Sequence, residues 1–70
     1  MTDHDLRKAI TRLLYARPGL MVDEIADRLG VIEPDDLGTL YRVIASMIPD
    51  DLHRRPTPDG FTYRMRRSLG

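Results

Sequence analysis

The residues best equipped for chemistry in this 70-residue chain are arginines. Between His53 and Arg67 the stretch HRRPTPDGFTYRMRR sets Arg54, Arg55, Arg64, Arg66 and Arg67 around a Pro58-Asp59-Gly60 turn, with Asp59 the only acid among them. Guanidinium groups carry a fixed fork of N–H donors that suits phosphate oxygens. The plainer reading is a charged strand edge that discourages strand addition. Five arginines on one hairpin exceed that need, which favours the phosphate reading.

Other chemistry is poorly provided for. His4 and His53 are the only histidines and neither stands at ligand spacing to a second His or to a Cys, which the chain lacks, so neither a metal site nor a disulfide framework is expected. Asp35-Asp36 and Asp50-Asp51 are adjacent in sequence and do not face each other on a helix, which makes them poor general acid/base pairs. Ser46 and Ser68 lie in no motif of an activated nucleophile. The expectation is a protein that is not an enzyme, with no cofactor, no metal and no small-molecule substrate.

The elements that must position the arginines follow from periodicity and punctuation. Thr2 with Asp5 resembles a capping box, and Leu6, Ile10, Leu13 and Leu14 recur at helical spacing, predicting a first helix over about 3–16. Pro18-Gly19 breaks it, and a short extended Leu-Met-Val can follow. A second helix over about 22–29 buries Ile25, Ala26 and Leu29, starts with Asp23 and Glu24 at the positive end of its dipole, and stops at Gly30. Pro34, Asp35 and Asp36 suit the start of a third, over about 34–48, ending before Pro49. Its apolar stripe is expected to be Leu37, Leu40, Tyr41, Ile44, Met47 and Ile48. A hairpin over about 52–66 alternates Leu52, Arg54 and Pro56 with His53 and Arg55, then Phe61, Tyr63 and Met65 with Thr62, Arg64 and Arg66. Phe61 and Tyr63 are expected to pack on the helices, and Gly60 to take the left-handed conformation of a G1 bulge.

Seventy residues make one domain with a small core. The N-terminus MTDHDLRKAI mixes acids and bases, and no apolar run approaches a membrane span or a signal-peptide core, so a cytoplasmic protein without a membrane partner is expected.

The order helix, short strand, helix, helix, hairpin resembles the winged helix-turn-helix domains of small bacterial and phage regulators. ARPGLMVDEIADRLGV is similar to the stretch in which the family's Thr-x-x-Glu-Leu-Ala-x-x-Leu-Gly-Val opens the second helix, with Glu24, Ile25, Ala26, Leu29, Gly30 and Val31 matching. Thr39-Leu40, Ile44, Met47 and Leu52 resemble the recognition helix and the Leu leading into the wing, and Gly60 with Tyr63-Arg64-Met65 resembles the second wing strand. The sequence departs at Met21, where the family usually has a capping Thr or Ser, at Asp51, where it usually has Gly, and between Gly30 and Leu40, a segment long enough for an extra helical turn or a loop. The resemblance implies a mainly α fold with a small β-hairpin. It also implies a transcriptional regulator that binds duplex DNA with the third helix at the major groove and the wing on phosphates. Carried onto this chain, Thr39, Arg42, Val43 and Ser46 would be the exposed residues of the reading helix.

Charge distribution sets a second possibility beside that one. The formal net charge is zero, yet residues 23–51 hold eight acids and two bases, whereas residues 52–70 hold five arginines and one acid. An acidic helix pair repels phosphate, so the wing must supply the attraction. The same polarity suits a protein partner or self-association through an acidic face of Asp23, Asp27, Asp35 and Asp36 with Val43. Phage-borne anti-CRISPR proteins and transcription inhibitors use compact folds in that way.

Overall fold

Thr2 caps the first helix as its position predicts: its Oγ1 accepts from the Asp5 N–H at 3.1 Å. The computed structural model describes residues 2–66; Arg67 lies outside the described residues. Helix α1 runs Asp3–Ala16, α2 Val22–Leu29 and α3 Pro34–Met47; strands β1 (Leu52–Thr57) and β2 (Gly60–Met65) complete an arrangement of three helices and an antiparallel hairpin. Met21 precedes α2 without a side-chain acceptor, so only half of a reciprocal cap forms, with the Glu24 carboxylate accepting from the Met21 N–H at 3.2 Å. Gly30 ends α2 in the left-handed region at φ 70°, where a Cβ would be strained. The long segment before Leu40 is taken up as the first turn and a half of α3, which starts with Pro34 in its opening turn.

The buried stripe of α3 is rotated from its expected position. Leu40, Val43, Ile44 and Met47 are buried, while Tyr41 is 53% exposed. These four stand at i, i+3, i+4 and i+7, a complete helical face that needs no Tyr41. Val43 is therefore core, contrary to its expected exposure.

Leu20 joins the hairpin from the other side. It forms an isolated antiparallel bridge to Tyr63, with the Tyr63 N–H donating to the Leu20 carbonyl at 2.8 Å and the Gly19 N–H to the Tyr63 carbonyl at 3.0 Å. The β2 strand thus lies between β1 and the Leu20 segment. The turn differs from the expected G1 bulge: Thr57 pairs directly with Gly60 around Pro58-Asp59, and Gly60 sits at φ 143°, beyond the left-handed well. Glycine serves twice there, since a Cβ on residue 60 would also lie 3.1 Å from the Met21 Cε.

The core brings Leu6, Ile10 and Leu14 of α1 together with Ile25, the α3 stripe, Leu52 and Tyr63. No buried side-chain polar atom among the described residues lacks a hydrogen-bond partner. No helix of the described residues is long and apolar enough to cross a membrane.

Candidate nucleic-acid interface

Strand register decides where the hairpin arginines point. Leu52↔Met65, Arg54↔Tyr63 and Pro56↔Phe61 are directly opposed pairs on one face, and His53↔Arg64 and Arg55↔Thr62 occupy the other. The inner end of the first face, Leu52 and Tyr63, is buried against the helices; its outer end, Arg54, Pro56 and Phe61, is exposed. Arg54 accordingly stands on the apolar face, and its guanidinium carbon lies 4.4 Å from the centroid of the Phe61 ring. Phe61 is 42% exposed, so it supports Arg54 more than it packs on the helices, contrary to the sequence expectation. On the opposite face Arg64 and Arg66 line, with His53, Tyr15 and Pro18, an open groove of about 560 Å³ against the end of α1. Arg54, Arg55, Arg64 and Arg66 are all exposed. None of them makes an ion pair among the described residues.

The α3 candidates fare differently. Arg42 donates to both carboxylate oxygens of Asp3 at 3.1 and 3.2 Å. Ser46 accepts from Arg7 at 3.2 Å and donates to the Val43 carbonyl at 2.6 Å. Both therefore lie along the seam between α3 and α1, where Arg7 also stands 3.8 Å from Asp51. Thr39 is half-buried and returns its hydroxyl to the Asp35 carbonyl at 3.1 Å. Val43 is 3% exposed and cannot reach a base or a partner. The structure thus leaves Arg42 as the one cationic candidate on α3, already engaged. Its pair with Asp3 is solvent-exposed and worth no more than about 1 kcal/mol, so it is open to exchange.

No protein-family model, curated protein or solved structure matches the chain.

The acidic face keeps Asp23, Asp27, Asp35 and Asp36, all exposed, and loses Val43 to the core. Sequence reasoning missed Tyr41, which it placed in the stripe. With Met21, Val22, Asp23, Phe61 and Tyr63 it lines a cleft of about 220 Å³ between the start of α2, α3 and the outer hairpin. No local signal singles it out: Tyr41 and Val43 flank the stripe of Leu40, Ile44 and Met47 on opposite sides, and the fold buries the Val43 side.

Proposed function

We infer that the chain is a non-enzymatic winged-helix module that binds duplex DNA as a small transcriptional regulator, with the hairpin as its wing and principal phosphate contact. The observation that carries this is the set of four exposed hairpin arginines without an ion pair among the described residues. An arginine already paired must give up its partner before it takes a phosphate; these need not. The Leu20 bridge beside β2 supports the winged arrangement, because it supplies the short first strand that such domains place between their first two helices. In this reading α3 contributes Arg42 and the rim residue Thr39 at the groove. The acids of α2 and α3 keep the approach oblique, led by the wing.

The test is titration of a labelled duplex at several salt concentrations. Each phosphate neutralised contributes about 0.9 to the magnitude of the slope of log K against log salt. The slope should shrink when Arg54 and Arg55 become Ala. Failure to bind any duplex at low salt overturns the reading. A second reading, a protein-binding module such as a phage-borne inhibitor, draws on the exposed Asp23, Asp27, Asp35 and Asp36 beside the half-exposed Tyr41. It would take the place of DNA binding if a partner engaged that face and no duplex did.

A further inference from the structure

Three of the chain's four aromatic side chains converge on one cleft. Tyr63, 8% exposed, lies at its depth; Tyr41 and Phe61, 53% and 42% exposed, stand at its sides. Two of the three large hydrophobic side chains left exposed among the described residues are therefore neighbours across a single opening, Ile32 being the third. The Arg54 guanidinium lies 4.4 Å from the Phe61 ring centroid and is not among the residues that line the cleft. A cavity of about 150 Å³ accommodates benzene, and the 220 Å³ here suits a fused two-ring system.

Asp23 gives the opening its chemistry. Its exposed carboxylate makes no side-chain hydrogen bond or ion pair among the described residues. The capping duty at the start of α2 belongs to Glu24 instead. A carboxylate only accepts, through two oxygens. Among the DNA bases, guanine alone offers two adjacent N–H donors, N1–H and the N2 amine, on one edge. That edge is occupied in a paired duplex and free in an unpaired base. Arg54, stacked on Phe61, is the exposed hairpin cation on the same face as the cleft aromatics, where it can offset the acid and meet a flanking phosphate.

We propose that the cleft between Tyr41, Phe61 and Asp23 is a binding site for an unpaired guanine base of DNA, stacked on the aromatic side chains and held at its Watson–Crick edge by the Asp23 carboxylate. The site deepens the DNA-binding reading and rests on it. It makes a bulged, melted or flipped guanine the preferred feature of the target, because an aromatic wall accepts any base face but the carboxylate selects one edge.

The test compares labelled duplexes that differ by one unpaired nucleotide, G, A, C or T, with the fully paired parent, by fluorescence anisotropy. The G-bulged duplex should bind about tenfold tighter than the paired one, the effect of a single base–aromatic stack. The other three bulges should gain less. Asp23→Asn should remove the advantage of G over the other bulges while a general bulge preference remains. Tyr41→Leu and Phe61→Leu should bring the bulged-to-paired ratio down to about one, and Ile32→Ser, which does not line the cleft, should leave the ratio as it is. Circular dichroism establishes that each variant is folded. Equal affinity for all bulges and for the paired duplex overturns the proposal while leaving the DNA-binding reading intact. A G preference that survives Asp23→Asn overturns the role of the carboxylate. Absence of binding to every DNA at low salt overturns both.

Discussion

The seam between α1 and α3 and the outer hairpin are both rich in arginine, but the two use it in opposite ways. In the seam Arg42 holds Asp3, and Arg7 reaches Ser46 and Asp51, joining residues 39 positions apart in sequence in two of these contacts. On the hairpin four arginines project with no acid to meet them among the described residues. A count of charges treats the two regions alike. Availability separates them: one region uses its cations for intramolecular order, and the other leaves them exposed and without an ion pair among the described residues.

The most disruptive way to break that division is to detach the hairpin. Leu52 is 0% exposed at its base, and Leu52→Ala should destabilise the domain by about 2–5 kcal/mol, seen as a large fall in melting temperature. Next in size, the double change Arg54→Ala with Arg55→Ala should reduce the salt slope of duplex binding by about 2, whereas Arg7→Ala, in the seam, should leave it nearly unaltered. Thr2→Ala removes the cap of α1 and should lower stability by about 1 kcal/mol in thermal or urea melts. Gly38→Ala acts in the other direction: a Cβ there meets nothing within 4 Å, so helix propensity alone should raise stability by up to about 1 kcal/mol. The smallest and most informative change is Asp3→Ala. It should alter stability by only a few tenths of a kcal/mol yet strengthen duplex binding, because it frees Arg42 and makes α3 resemble the hairpin.

Most element boundaries were legible because local chemistry dictates them. Thr2, Gly30, Pro34 and the Pro58-Asp59 turn punctuate the chain where caps and turns must fall, and the helices begin and end there. The facing of α3 was not legible to the same degree. Tyr41 and Val43 flank the common stripe of Leu40, Ile44 and Met47 on opposite sides, and only the tertiary packing of α3 into the core determines which flank is covered. Arg54 shows the same limit in a strand. Alternation correctly places it on the face of Leu52 and Tyr63, but not where helix coverage ends, and that end point turns it from a misplaced charge into the neighbour of an exposed ring. The arginines of the candidate interface were visible in sequence as composition; their lack of partners is a tertiary property.

The absence of a side chain at Gly60 leaves room for the Met21 methyl beside the hairpin turn. The hairpin is anchored at its base by Leu52 and along its length by the Leu20 bridge, and close to its turn the Met21 methyl occupies the space that a side chain at residue 60 would need. A long wing held only at its base would sweep through many orientations and surrender that freedom on meeting a stiff ligand. A hairpin ordered in the free protein has less of that freedom to lose, so under the DNA-binding proposal a larger share of each arginine contact would survive as affinity. Bulk at residue 60 should therefore act at a distance, loosening the hairpin and weakening binding chiefly through lost preorganisation, with every arginine still in place.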